Sequence, residues 1–595
     1  MSGNLRRTWW ILGITLAVAL LAGAACSQAG TPAVPAQTSV LAAPTATPFR
    51  PLLPTGVLAS PGFAAPEATA TAILPVSENP SPPAAAQAAA PPAIWIDPAL
   101  PAAFRQALRL PPDLSQWPQD GSPLPPGVLR VETSAERPIT HWVYALVTPF
   151  SSTIQGVSYE DIRRTWNGEA AGPFAGQPLL MDESTYRSFS ALWGAPAGET
   201  VATVPGEELL NYAWDHQPAW ALAPFESLDP RWKVLPVDGL SPIQKSIDPA
   251  AGYPLTLPIS LTGDPQQVGA LLERYGPASA SPLAPASNRE PGRLTVVAMT
   301  GVTALVRATA YTMEQRGLLY PGEDVRDWLR EADITHISNE VPFAQNCPYP
   351  NPVQEGMRFC SDTRYIKLLE DVGADVIELT GDHFADHGVD AMYYTLELYR
   401  ERGWPYYGGG ENSQQARQAV LLEHNGNRLA FIGCNAKGGG YAQAGPNHPG
   451  AVTCDFDWLV SEIARLRAEG VLPIATFQHF EYYTYQAQPN QERDSRLLAE
   501  AGAVIVSGSQ AHQPQALEFV RNSLIHYGLG NLFFDQYEIS LATRQGFIDR
   551  HIFYDGRYIS TELLPILFID YARPRPMTPQ EQEDLLNAVF SASGW

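Results

Sequence analysis

Between residues 27 and 92 the chain carries fourteen prolines and only three charges, Arg50, Glu67 and Glu78, among Ala, Thr, Ser and Val. Side chains that small cannot build a core, and proline blocks helix and sheet ladder alike. The segment reads as a disordered, extended tether with a reach of roughly 200 Å at polyproline spacing. Folding is therefore left to the residues that follow. Over the whole chain 45% of residues are apolar and 10% aromatic, which is enough to close cores and excludes full disorder.

Ahead of the tether, Arg6 and Arg7 precede an uncharged apolar run from Trp9 to Ala25. As a helix it would be about 25 Å long, slightly short for a membrane span and suited to a signal peptide. It ends in Gly23-Ala24-Ala25-Cys26, which resembles the lipobox of bacterial lipoproteins although Gly23 stands where leucine is usual. The expectation is a lipoprotein-type signal peptide over 1–26. Lipidation of Cys26 would tie the chain to the membrane through an N-terminal lipid anchor. An uncleaved anchor and free secretion are the alternatives, and all three place the rest outside the cytoplasm.

Four further cysteines, Cys347, Cys360, Cys434 and Cys454, form an even set that favours disulfides in an exported chain. Three pairings are open. The local one, Cys347–Cys360 with Cys434–Cys454, would contribute about 3 kcal/mol per bridge. Simple buried thiols are the alternative. No CxxC pair is present for zinc. With 61 acidic and 38 basic residues the net charge is −23, which repels phosphate backbones and argues against nucleic acid as a partner. The four lysines, Lys233, Lys245, Lys367 and Lys437, are scattered and make no polybasic patch.

Residues 93–285 alternate short strand and helix patterns, which makes this part α/β. His141–Val147 (HWVYALV) alternates like a strand, and Ser158 with Asp161 has the spacing of a capping box. Two stretches, VYALVTPFSSTIQGVSYEDIRRTWNG (143–168) and FESLDPRWKVLPVDGLSPI (225–243), resemble the type 2 periplasmic-binding-protein fold. The resemblance implies a ligand held by backbone N–H and hydroxyl groups. Ser151, Ser152 and Thr153 stand where such a loop would be, although hydroxyl-rich loops are mostly turns.

Ala286–Gly292 reads as a short polar link to a second unit, 293–595. Strand patterns recur at Leu294–Met299, Ile334–Ile337, Asp375–Leu379, Leu472–Phe477, Ala503–Val506 and Ser523–Tyr527, with helices between them. Asn425-Gly426 is a hairpin turn. Polar residues gather after strand ends, where sites of α/β folds lie. The groups are Asn339-Glu340, Gly381-Asp382-His383, His479-Phe480-Glu481 and Gly508 to His512.

Five ordered motifs carry a second resemblance: SNEVPF (338–343), VGADVIELTGDHFADHG (372–388), TFQHFEYY (476–483), AGAVIVSGSQAHQPQALEF (501–519) and HYGLGNLFFDQ (526–536). Together they resemble the CapA family of poly-γ-glutamate capsule synthesis proteins. That resemblance implies a calcineurin-like metallophosphoesterase fold, an α/β sandwich whose strand ends carry metal ligands. The chain departs from the family pattern where the first carboxylate is Val302, where Phe477 takes a histidine position, and where Ser509 and Gln510 stand for further ligands. A two-residue shift along the strand keeps the same face and would recover His479.

The residues that survive give Glu340, His383, His479 and His512 as expected metal ligands and Asp382 and Glu481 as expected catalytic carboxylates. The set fits one divalent ion (Mn, Zn or Fe) better than two. Asp386 and His387 read as solvated loop, Gly528–Asn531 as a tight bend beneath the site, and 551–595 as structural completion. The expected function is synthesis or processing of an extracellular polymer of poly-γ-glutamate type by a metal-dependent hydrolase. The alternative is a non-catalytic, lipid-anchored protein that binds a small solute or polymer. The charge of −23 does not draw an anionic polymer in from a distance.

Overall fold

The computed structural model describes residues 93–595 apart from 120, 122, 126, 439 and 441. The expected signal peptide, with Cys26, and the expected tether fall outside the described residues. The described residues all fall in one compact unit by contact, so the front and rear sheets belong to a single packed body. No described helix is long and apolar enough to cross a membrane.

The front sheet has nine strands built around Pro138–Pro149. That strand pairs antiparallel with Trp220–Pro224 on one edge and, in succession, with Thr256–Thr262 and Trp232–Leu235 on the other. Because both its faces are covered, its run from Trp142 to Pro149 is buried throughout. The helix Tyr159–Trp166 starts at Ser158, whose Oγ accepts from Asp161 N at 3.1 Å and donates to Asp161 Oδ2 at 2.8 Å. The Asp161 carboxylate thus returns to the Ser158 hydroxyl rather than to its backbone N–H, a variant of the expected box. Ser151 and Ser152 belong to a turn closed by Ser152 N donating to Pro149 O, and Ser151 Oγ donates to Gln217.

Ala286–Gly292 is more than a link. Arg289 is 1% exposed and donates to the carbonyls of Pro242, Ile247 and Gln244. Asn288 exchanges hydrogen bonds with both backbone groups of Val143, at 2.7 and 2.9 Å. A buried guanidinium is retained when its donors are satisfied. Tyr554 of the rear sheet accepts from Glu290 N at 2.9 Å and donates to Asn288 O at 3.2 Å, so this segment ties the front part to the rear strands.

The rear part is a four-layered α/β sandwich. One sheet runs in the order Tyr406–Tyr407, Val376–Glu378, Ile334–Asn339, Leu294–Thr300, Gln545–Tyr554, Arg557–Ile569, Arg573–Pro576. The other runs Val420–His424, Asn427–Asn435, Leu472–Gln478, Ile505–Ser507, Ser523–His526, Leu517–Val520. Strand alternation sets the layers. Val297, Met299 and Val376 meet Phe431, Ile474 and Ile505 between the sheets. Ala298, Ile337 and Ile377 face outward onto helices such as Val389–Glu401, and Ile432 and Ala475 face the helices Phe456–Ala468 and Pro489–Ala501. The tail strands complete the first sheet through Leu294–Thr300, and the last helix, Pro579–Ala592, carries a Thr578/Glu581 capping box.

The cysteines pair locally as Cys347–Cys360 and Cys434–Cys454, one of the three pairings open from sequence.

Candidate metal centre

The parallel strands of the sandwich end at one rim, and the loops that leave them carry the polar groups. Ile334–Asn339 leads into Glu340, whose N–H is held by Thr303 O at 3.0 Å. Val376–Glu378 leads into Gly381-Asp382-His383. A Cβ on Gly381 would stand 2.9 Å from Glu340 Cα and 3.0 Å from its Cγ. Only glycine lets the two loops close on each other there.

Glu340, Asp382 and His383 each offer a ligand atom within 4.8 Å of the others. His512 completes the group from the loop after Ile505–Ser507, its Nε2 3.8 Å from Glu340 Oε1 and 3.9 Å from Glu481 Oε1. Both imidazoles are oriented from behind. His383 Nδ1 lies 2.6 Å from Asp386 Oδ2, and His512 Nδ1 lies 2.9 Å from Asn531 Oδ1. Each partner binds the far nitrogen and turns Nε2 toward the carboxylates, the usual second layer of a histidine metal ligand.

Two expectations are corrected here. Asp386 is not solvated loop; its side chain is fully buried and also accepts from Phe359 N at 3.0 Å. His387 is half-buried, its Nε2 3.1 Å from Asn346 Oδ1. Asn531 is more than part of a bend, since it sets the ring of His512.

His479 does not join the carboxylates. On Leu472–Gln478 the residue that faces the site is Gln478, with Phe477 and His479 on the opposite side. His479 Nε2 is 3.2 Å from Asp494 of the helix Pro489–Ala501, and burial pushes its pKa down. The expected two-residue shift does preserve the face, but that face looks onto the helix layer. Gln478 instead clamps the Asp382 loop, accepting from Asp382 N at 2.8 Å and donating to Asp382 Oδ1 at 3.0 Å. Asn435 supports it, donating to Gln478 Oε1 at 3.0 Å and to Thr380 O at 2.9 Å.

Lys437 is a site cation that motif reading passed over. Its Nζ lies 2.7 Å from Asp382 Oδ2 and 2.9 Å from Glu481 Oε1. Burial raises the pKa of Asp382, but Lys437 and His383 outweigh it and hold the carboxyl below its ordinary range. Glu481 is likewise held low against burial by His512 and Lys437. Glu340 shows the opposite balance, with burial pushing its pKa up against the pull of His512 and His383. For His383, burial lowers the pKa, yet the Asp386 bond and the Glu340 charge raise it to about 9.

The positions where the motifs lose ligands are used internally. Val302 is fully buried and apolar. Ser509 donates to Glu378, a fully buried carboxylate that also accepts from Thr380 Oγ1 at 2.6 Å and lies 3.2 Å from His336 Nε2. Gln510 donates to Ser338 at 2.7 Å. Ser509 and the Gln510 amide nitrogen thus close hydrogen bonds within the sandwich.

The donors present fit a divalent cation. Glu340 is 1% exposed and its Oε1 has no hydrogen-bond partner among the described residues. A buried carboxylate oxygen left so is costly, and a cation between it, Asp382 and His383 would satisfy it.

Residues 296–536 match the family model described as bacterial capsule synthesis protein PGA_cap. The chain is 24% identical over 301 residues to the capsule biosynthesis protein CapA of Bacillus anthracis, covering 50% of this chain and 72% of that one. It is 24% identical over 225 residues to the PGA biosynthesis protein CapA of Bacillus subtilis (strain 168), covering 38% and 59%. Solved structures similar to parts of the chain include a 5'-nucleotidase precursor from Thermus thermophilus, at 11% identity, TM-score 0.29 and coverage of 49% of this chain and 58% of that one. An ABC-type phosphate transport receptor from Vibrio cholerae matches at 13% identity, TM-score 0.20 and coverage of 24% and 72%. Over residues 296–536 the chain is thus similar to the capsule synthesis family PGA_cap, the family that its five motifs resemble.

Proposed function

We propose that this chain is an exported protein of cell-surface polymer synthesis or processing, and that its rear part is a hydrolase dependent on one divalent ion. The unpartnered, buried Glu340 Oε1 beside Asp382 and His383 carries this reading. Similarity to capsule biosynthesis proteins supports the polymer, and two disulfides suit an oxidising compartment outside the cytoplasm. Anchoring through lipidated Cys26 belongs to the same proposal.

Glu340, Asp382, His383 and His512 would hold the ion. When bound, a divalent ion of this kind supplies a Lewis acid for a carbonyl or phosphoryl oxygen. Asp382 has one oxygen on Gln478 and the other on Lys437, which suits a fixed ligand better than a base. Glu481 has Oε1 on Lys437 and Oε2 only on the Tyr483 hydroxyl, at 3.4 Å, and His512 and Lys437 hold its carboxyl below its ordinary range. Its role is general base, accepting the proton of an attacking water at a carboxylate oxygen.

The test is chain-length analysis of poly-γ-glutamate incubated with the manganese-loaded protein. Shortening that disappears in Glu481→Gln is the expected result. An ion-loaded protein that leaves the polymer intact points to the second reading, a non-catalytic polymer-binding protein. Gln478 and Ser509 favour that reading, since their side chains are taken up by internal hydrogen bonds.

A further inference from the structure

A cavity of about 250 Å³ lies where the front sheet meets the rear part, lined by none of the metal-centre residues. Phe150 and Val234 line it from the front, and Trp328, Leu563, Met577 and Phe590 line it from the rear. It is larger than the cavities of about 150 Å³ that admit benzene in protein cores, and its walls are mainly apolar.

Two charged side chains reach it, Lys233 and Glu562. Glu562 has a counter-charge, Arg550 Nε at 3.5 Å. Lys233 has none among the described residues: its Nζ donates to the backbone carbonyl of Ser152 at 2.8 Å and makes no ion pair. Its stem is fixed by the strand Trp232–Leu235, where Lys233 pairs with the buried Thr148. A half-buried ammonium with one neutral acceptor has donors left for an anion. Burial pushes its pKa down to about 7, and an anion beside it would restore the charge. Apolar walls with a single convergent charged group are the usual make-up of a small-molecule pocket.

We propose that this cavity binds a small organic monoanion with an apolar body, its carboxylate on Lys233 and its hydrocarbon part against Trp328, Leu563 and Phe590. The site is independent of the metal centre and of any hydrolysis there.

Titration calorimetry of the full chain with octanoate tests it, with octanamide as the neutral counterpart. The wild type should bind octanoate once per chain and at least tenfold more tightly than octanamide. Lys233→Gln should lower octanoate affinity at least tenfold and leave octanamide unchanged, and Lys233→Arg should keep octanoate binding. Leu563→Trp, which fills the cavity, should abolish binding of both. Absence of octanoate binding at millimolar concentration overturns the proposal, as does equal affinity for acid and amide. Octanoate affinity in Lys233→Gln within twofold of wild type overturns it as well.

Discussion

The Lys437 ammonium lies 2.7 Å from Asp382 Oδ2 and turns the same nitrogen to Glu481 at 2.9 Å. Two carboxylates that would otherwise repel, or share a cation, are joined by a side chain of the protein itself. In this account Lys437 fills the place of a second ion. Lys437→Gln should raise bound manganese from one to two ions per chain, measured by elemental analysis after gel filtration. A ratio that stays at one would show that the ammonium excludes nothing.

Asp386 acts through His383, which it holds by Nδ1 at 2.6 Å. Removing such a partner typically weakens a metal site about 10- to 100-fold. Asp386→Asn should weaken metal affinity by that factor while leaving the number of ions per chain unchanged, as read by competition with a chromogenic chelator. An unchanged affinity would reduce Asp386 to a support for the Phe359 loop.

His551 carries a pH dependence of stability. It is 1% exposed between the sheets, and burial pushes its pKa from 6.5 down to about 4. Between those values the unfolded chain binds a proton that the folded chain refuses. The stabilisation is therefore complete above about 6.5 and is lost as pH falls from there toward 4, on the order of 3 kcal/mol in all. Urea unfolding at pH 7.5 and 5 should show about 2 kcal/mol of this loss, and His551→Asn should show a smaller one. Equal pH dependence in the two proteins would remove His551 as its source.

The Cys434–Cys454 bridge closes a 20-residue separation, and its first cysteine adjoins Asn435. The double variant Cys434→Ala/Cys454→Ala should lose about 3 kcal/mol of unfolding free energy by loop-entropy reasoning. Unfolding curves within about 0.5 kcal/mol of wild type would mean that the unfolded chain is not constrained by this bridge.

Much of the fold was legible because strand alternation and turn chemistry are local. The buried run after His141, the strand around Ile377 and the Asn425-Gly426 hairpin all appear where their patterns place them. The convergence of Glu340, Asp382, Glu481 and His512 followed from their positions after strand ends. What escaped depends on contacts distant in sequence. Gln478 and His479 differ by one residue, and only the sheet decides which of them faces the rim. Asp386 looks like solvated loop until Phe359 covers it. Lys437 follows a strand in a glycine-rich loop, and nothing nearby in sequence marks it as a counter-charge for Asp382. Arg289 sits in what reads as a polar link, yet its three carbonyl partners come from 242–247.

The central claim is that Glu340, Asp382 and His383 hold a divalent ion, and elemental analysis of the purified chain tests it most directly. The chain is stripped with chelator, reloaded in turn with manganese, zinc and iron, and gel filtered. The account predicts one ion per wild-type chain, and none in His383→Ala or Glu340→Gln proteins that unfold at wild-type temperature without metal. A wild-type chain that retains no ion under any loading, or an ion kept undiminished by both variants, would contradict it.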